Sequence, residues 1–196
     1  MPAAMTRRYL VIALVAATLS LALPATFPDD GGPTGFDRWI GRTVETVFGA
    51  CGAALSTFAA LSTPFVVIPA LAATAVFAAI HRRPVAPVLL GPLAAVLANA
   101  WIFKPLAGRP LDHYLAYPSG HTVSLVSAIT VIALTMRSAR AEIAGAAIGT
   151  VVLICAGIGM IGFGYHHPTD VIGGVGVGIA VPVLIERLSR IRSAPG

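Results

Sequence analysis

Six long apolar segments, separated by short polar ones, constrain the fold of this chain more than any other feature. A helix that crosses the hydrocarbon core of a bilayer needs about 20 apolar residues. Five of the segments reach or approach that length, and the last is shorter but rich in glycine and free of charge. The predicted spans are Tyr9–Phe27, Pro64–Ile80, Pro84–Phe103, His121–Met136, Ile143–Tyr165 and Val171–Ile185. They predict an all-α, polytopic membrane protein with six transmembrane helices.

The composition also favours a membrane protein over a soluble one. Of the 196 residues, 57% are hydrophobic and 11% are charged, whereas a soluble domain carries roughly 25% charged residues. The formal net charge is +5, but the basic residues lie in short clusters between apolar segments, so nucleic acid is not a predicted partner. Cys51 and Cys155 lie among small apolar residues and are interpreted as packing residues. We expect a single integral-membrane domain over residues 1–196.

Two segments near the N-terminus leave alternatives open. Residues 1–27 have a basic start, an apolar stretch and small residues at the end, like a signal peptide, but the long apolar run favours an uncleaved first span or signal-anchor. The segment 36–62 begins with FDRWIGRTVETVFG, in which charged and apolar residues alternate at helical spacing. This pattern predicts an amphipathic helix at the membrane surface, between the first and second spans. Residues 48–62 are either a separate half-helix or the start of the second span.

The basic residues predict how the chain is oriented. Nine of the thirteen Lys and Arg residues fall in one set of loops and ends, and four fall in the other set. Cytoplasmic loops carry the excess of positive charge, so both termini are predicted to be cytoplasmic. The Ala-, Val- and Arg-rich composition is typical of a high-GC bacterium, so the predicted location is the bacterial cytoplasmic (inner) membrane. Five ionisable residues then meet at the outer face, where such a gathering beside apolar spans indicates a functional site. They are Lys104, Arg109, His121, His166 and Asp170.

The stretch YPSGH, at positions 117–121, has the features of an anion site at the start of a helix. Ser119 is a favoured N-cap, and Gly120 lets the backbone approach a ligand closely. The first turn of a helix presents unpaired amides that suit an anion such as phosphate. His121 adds an imidazole that can donate a proton. Taken alone, the stretch is equally compatible with an ordinary capped helix that carries a surface histidine.

Two other stretches supply complementary groups. Lys104 and Arg109, in KPLAGRP, place two cations on the side where positive charge is disfavoured, which suits a phosphate better than simple anchoring. His166 and Asp170, in GYHHPTD, lie four residues apart at the expected start of the last helix. A carboxylate there can hold one imidazole nitrogen and leave the other free to attack. A zinc site that uses His121, His166 and Asp170 is an alternative, but the neighbouring cations would repel a metal ion.

In this order, the three stretches resemble the signature of the type 2 phosphatidic acid phosphatase family of membrane phosphatases. That signature runs Lys, six residues, Arg-Pro; then Pro-Ser-Gly-His; then Ser-Arg, five residues, His, three residues, Asp. The second part is intact at Pro118–His121, and His166 and Asp170 match the third. In two places the chain departs from it, because Leu111 occupies the arginine position of the first motif and Gly159-Met160 replace Ser-Arg.

The resemblance implies a metal-independent phosphohydrolase without a cofactor, which works through a phosphohistidine in a helix core over residues 64–188. His166 would be the nucleophile, Asp170 its orienting carboxylate and His121 the proton donor. The groups expected to stabilise the phosphoryl oxygens are Lys104, Arg109 and the backbone around Ser119 and Gly120. One phosphate-binding cation of the family is missing from the third motif.

The partner that the resemblance implies is a lipid phosphate held in the bilayer. Polyprenyl pyrophosphate, phosphatidic acid and phosphatidylglycerol phosphate all fit this description, and the sequence does not choose among them. Two alternatives stay open, namely a phosphotransferase on the same scaffold and a membrane protein whose site has decayed at the two departures.

Overall fold

The computed structural model describes residues 3–136 and 138–192, and these are almost entirely helical. The helices are α1 (Ala3–Ala22), α2 (Gly35–Phe48), α3 (Gly52–Ala60), α4 (Pro64–Ile80), α5 (Ala86–Ala98), α6 (Lys104–Ala107), α7 (Gly120–Thr135), α8 (Ala139–Gly162) and α9 (Pro168–Arg192). A 3-10 turn (Leu23–Thr26) extends α1, and a π-helical segment (Asn99–Phe103) joins α5 to α6. The short strands β1 (Pro110–Leu111) and β2 (Tyr114–Leu115) form an antiparallel hairpin. The predicted all-α fold is confirmed.

Five helical runs in the described part of the chain are long and apolar enough to cross a membrane, and α7 is a shorter apolar helix. The long runs are Arg7–Thr26, Gly52–Ile80, Ala86–Ala107, Ala139–Gly162 and Pro168–Ile191. The chain is thus a multi-pass membrane protein, as predicted. The last helix is longer than the predicted Val171–Ile185. Helix α9 continues past its apolar part into a charged segment. In that segment, Arg190 Nε donates to Glu186 Oε1 at 2.7 Å, an i,i+4 pair that stabilises the last turns.

Helix α9 lies at the centre of the bundle, where it contacts α1, α5 and α7. Its buried Val177 packs with Ala95 of α5 and Val123 of α7. Hydroxyl groups tie the helices together: Ser20 Oγ donates to the carbonyl of Gly173 at 2.8 Å. This packing brings the N-terminal ends of α7 and α9 side by side, which sets the position of the functional groups.

The segment that the sequence predicted as amphipathic is divided into two helices. Helix α2 begins with a capping box between Thr34 and Asp37, and it exposes large apolar side chains such as Trp39. Helix α3 is separate from α2 and from α4, but it shares the apolar run Gly52–Ile80 with α4. Residues 52–60 are thus a helix of their own and also the beginning of that run. Helix α3 packs closely on α8, because a Cβ at Gly159 would lie 2.3 Å from the Ala59 nitrogen.

Candidate active site

Two histidines from different helices face each other at one end of the bundle. His121 is in the first turn of α7, and His166 lies just before α9. Their ring centroids are 6.2 Å apart, with the planes inclined by 69°. His121 is exposed, whereas His166 is only 6% exposed. Since α7 and α9 start side by side, the structure brings together the two residues that the sequence assigned to proton transfer and to nucleophilic attack.

Asp170 lies next to His166 in the first turn of α9 and is fully buried. Its Oδ2 atom is 3.7 Å from His166 Nδ1, which is longer than a hydrogen bond. The same oxygen accepts a hydrogen bond of 2.8 Å from the backbone amide of His167. Within the described residues, His166 Nδ1 is buried without a hydrogen-bond partner. The carboxylate is therefore beside the imidazole, as predicted, in a looser contact than a hydrogen bond.

The start of α7 is built as a capped helix end. Ser119 is buried and its Oγ accepts from the Thr122 amide at 3.3 Å. The Ser119 amide donates to the carbonyl of Asp170 at 3.0 Å, so the polar groups of Ser119 are used within the protein. The amides of Gly120 and His121 have no acceptor among the described residues, as expected for the first turn of a helix. Of the two residues predicted here, Gly120 supplies the free amide and Ser119 supplies the cap.

Lys104 is the first residue of α6, directly after the π-helical segment, and lies at the same end of the bundle. Its Nζ donates a hydrogen bond to the carbonyl of Leu115 and lies 6.0 Å from the ring centroid of Tyr114. No ion pair of the described residues involves Lys104. It is thus a cation that remains available to an anionic ligand.

Arg109, which the sequence assigned to phosphate binding, points into the protein. Its side chain is fully buried, and all five of its N–H groups are hydrogen-bonded. Nε donates to Gly31 O (2.9 Å), Nη1 to Thr169 Oγ1 (2.6 Å) and Asp170 Oδ1 (2.8 Å), and Nη2 to Gly32 O (2.8 Å) and Asp37 Oδ2 (3.0 Å). A guanidinium has five N–H donors, so none is left for a phosphate. The structure therefore makes Arg109 a partner of Asp170 instead of a ligand for substrate.

The two motif positions that lack arginine are occupied by apolar side chains. Leu111 is half-buried on β1. Met160 is 1% exposed, and its Sδ lies 3.9 Å from Ser119 Oγ. Gly159 cannot be replaced by serine without moving α3, since an added Cβ would also lie 2.7 Å from the Leu55 carbonyl oxygen. The site consequently has fewer cations than the signature implies.

A cavity of about 290 Å³ opens beside His121, between α3 and α8. Its walls combine apolar side chains with a few hydroxyl groups. The lining residues are Ser56, Ala59, Ala60, Ser62, Thr63, His121, Met160, Phe163 and Tyr165. The cavity therefore offers space for an apolar group next to the imidazole that was assigned to protonate the leaving oxygen.

Comparison with known families agrees with this geometry. The family model described as the PAP2 superfamily matches residues 9–192. The chain belongs to the PAP2 superfamily. Its fold is similar to the solved structure described as "the first transmembrane PAP2 type phosphatidylglycerolphosphate phosphatase from Bacillus subtilis", with a TM-score of 0.67 and 18% identity over 91% of this chain and 96% of that one. A search of the curated proteins gives no significant match.

The geometry of this PAP2-superfamily site bears on whether it could hold zinc, the alternative that the sequence left open. Among residues 3–136 and 138–192, no group of three or more His, Cys, Asp or Glu side chains is arranged to hold a metal ion. The oxygens of Asp170 already accept from Arg109 and from the His167 amide. The carboxylate of Asp170 is thus held by protein contacts that a metal site would have to break.

Sequence reasoning missed three residues of this PAP2 site. Asp37 and Thr169 bind Arg109. The ring of Tyr114 contacts that of His166 edge-on, with the ring centroids 6.1 Å apart, and its hydroxyl donates a hydrogen bond to the carbonyl of Tyr165. Burial raises the pKa of Tyr114, with further contributions from nearby carboxylates, so its hydroxyl stays protonated at neutral pH. The Thr34-x-x-Asp37 pattern was a readable capping signal, but nothing local marked Tyr114.

Proposed function

We propose that this chain is a metal-independent phosphatase that hydrolyses a membrane lipid phosphate through a phosphohistidine at His166. The observation that carries the proposal is the pair of facing imidazoles, His121 and His166, beside the buried carboxylate of Asp170. Membership of the PAP2 superfamily supports the same activity. The charge distribution supports a site at the outer face of a bacterial cytoplasmic membrane, with both termini cytoplasmic.

In the first half of the proposed reaction, His166 Nε2 attacks phosphorus while the bond to the lipid oxygen breaks. His121 gives its proton to that oxygen. The new N–P bond leaves a positive charge on the His166 ring, which the Asp170 carboxylate stabilises. In the second half, His121 takes a proton from water, whose oxygen attacks phosphorus and releases phosphate from His166. Lys104 and the Gly120 amide stabilise the phosphoryl oxygens.

The proposed substrate class is a lipid with a terminal phosphate or pyrophosphate. The similar solved structure is described as a phosphatidylglycerolphosphate phosphatase, so that lipid is one candidate, together with phosphatidic acid and polyprenyl pyrophosphate. The cavity beside His121 supports a lipid, because it places apolar walls next to the leaving oxygen. The lipid tail would enter between α3 and α8.

The first test is phosphate release by purified protein in detergent with a chelator present. The panel contains undecaprenyl pyrophosphate, phosphatidic acid, phosphatidylglycerol phosphate and a soluble phosphate ester. We expect release from at least one lipid, and loss of that release in His166→Ala, because the nucleophile is absent. The matched control is His113→Ala, which removes an exposed imidazole from the neighbouring hairpin and should keep wild-type activity.

The outcomes separate the alternatives. Activity of His166→Ala near the wild-type level would contradict the phosphohistidine. Phosphate transfer to a lipid or sugar acceptor without release would favour a phosphotransferase. Inactivity of the wild type on every lipid would favour a decayed site.

A further inference from the structure

The carboxylate of Asp37, in the first turn of α2, is completely buried. This burial is unusual for a charged residue of an amphipathic helix. A buried charge must be paired and hydrogen-bonded to be tolerated. Asp37 Oδ1 accepts from the Thr169 amide at 2.9 Å, and Oδ2 accepts from Arg109, from Thr169 Oγ1 and from the Thr34 amide at 2.9–3.0 Å. Burial opposes ionisation, but these hydrogen bonds outweigh it and hold the pKa of Asp37 below its usual value.

A helix cap alone does not explain these contacts. The capping box of α2 needs only the bonds between Thr34 and Asp37. The remaining partners are distant in sequence and belong to the active site: Thr169 precedes Asp170, and Arg109 contacts Asp170 directly. The first turn of α2 is thus attached to the first turn of α9, next to the proposed nucleophile.

The guanidinium of Arg109 is enclosed at the centre of this attachment. Its Cζ lies 4.0 Å from the ring centroid of Phe27, and the carbonyls of Gly31 and Gly32 complete the enclosure. Gly31 has φ of +71°, and a Cβ there would lie 2.5 Å from Pro110 Cδ, so only glycine suits this turn. The loop before α2 is therefore shaped around Arg109.

The carboxylates of Asp37 and Asp170 both pair with the Arg109 guanidinium. The net charge of this cluster affects the phosphorylation of His166. Arg109 paired with Asp170 alone would form a neutral pair next to His166. With Asp37 included, the buried cluster keeps one net negative charge. Phosphorylation places a positive charge on the His166 ring, and in a dry site a nearby net negative charge stabilises it strongly.

We propose that Asp37 is a positioning residue for the His166–Asp170 pair, acting through Arg109 and Thr169. Asp37 holds the guanidinium of Arg109 in place, so that Arg109 Nη1 fixes Asp170 Oδ1. Asp170 Oδ2 then stays on the side of the His166 imidazole. Asp37 also offsets the charge of Arg109, so that Asp170 acts on His166 as a full negative charge. The proposal rests on the phosphatase activity proposed above.

The test compares Asp37→Asn, which keeps size and removes charge, with Asp29→Asn, which removes an exposed carboxylate from the loop before α2. The readouts are kcat, KM and the rate of phosphoenzyme formation in a single turnover, each per folded protein. We expect Asp37→Asn to lower kcat and the phosphorylation rate at least about tenfold, with KM changed less than about threefold, since the loss falls on the transition state. Asp29→Asn should match the wild type.

Thr169→Val supplies a milder second variant, because it removes the hydroxyl between Arg109 and Asp37 and keeps every charge. We expect Thr169→Val to lower kcat about threefold. If Asp37→Asn does not fold, this variant tests the positioning role in its place. Wild-type kcat in a folded Asp37→Asn, or a change in KM alone, would overturn the positioning role while leaving the phosphatase intact. If Asp37→Asn fails to fold, an unchanged kcat in Thr169→Val would do the same. An inactive wild type would instead overturn the proposed function on which this role depends.

Discussion

Arg109 is one of the two cations that the sequence assigned to phosphate binding, yet its five N–H groups bind protein oxygens. Lys104 is left as the motif cation without an ion pair in the described part of the chain. At the residue scale, the site thus separates two roles. Lys104 and the Gly120 amide are available to a substrate, whereas Arg109 serves Asp170.

The lowered pKa of Asp37 predicts how stability depends on pH. Because ionised Asp37 is favoured in the folded state, its contribution is fully present above its unfolded value of about 3.9 and is lost as pH falls through the lower folded value. We expect the thermal midpoint in detergent to exceed that of Asp37→Asn at pH 7. The difference should shrink below about pH 4. Thermal unfolding across pH 3–7 measures it, with Asp29→Asn as the control that follows wild type, and a constant difference would contradict the prediction.

At the scale of elements, the contact between α3 and α8 explains why glycine occupies position 159. Gly159 meets the backbone of Ala59 and Leu55, so the residue before Met160 has no room for a side chain. The same contact forms one wall of the cavity beside His121. Close packing of α3 on α8 is therefore compatible with Gly159 and not with the serine of the signature.

This contact predicts a large effect of a small substitution. Gly159→Ala should lower the free energy of unfolding by roughly 1–3 kcal/mol, because the added methyl group forces α3 away from α8. Gly145→Ala, on the same helix, adds a methyl group where no atom lies within 4 Å. It should be neutral or stabilising by up to about 1 kcal/mol. Thermal or denaturant unfolding in detergent compares the two, and equal effects would argue against a close α3–α8 contact.

On the scale of the whole molecule, charged contacts mark both ends of the bundle. At one end Arg8 pairs with Glu142 at 2.7 Å, and Arg83 donates to the Thr135 carbonyl. At the other end lie the two histidines and the Arg109 cluster. The two ends thus differ in their polar groups, and their orientation across the membrane stays a prediction from the basic residues.

The native Cys51 offers a direct test of that orientation, since it is exposed between α2 and α3. If the site faces outward, a membrane-impermeant maleimide should label Cys51 in intact spheroplasts. Cys51→Ser should abolish the labelling, because Cys155 lies within α8 and is only partly exposed. Ser138→Cys in the Cys51→Ser background should react only after permeabilisation. The reverse pattern would place the site on the cytoplasmic side.

The sequence by itself determined where the apolar spans lie, the helix start at Ser119, and the spacing of His121, His166 and Asp170 within their motifs. These features depend on the length of apolar runs and on neighbours a few residues away. The bounds of α9 and the division at residues 48–62 needed the structure, because charged turns and helix breaks respond to packing.

Only the tertiary structure decided which cation is paired inside the protein and which has no ion pair among the described residues. The partners of Arg109 come from the loop before α2 and from α9, 60 to 78 residues away. No local pattern reports such distances, since they depend on how the helices pack. The physical reason is burial. The Arg109 guanidinium is enclosed between two carboxylates, and a buried charge is tolerated only when it is paired. Lys104 is less buried, and its charge remains available to an anion.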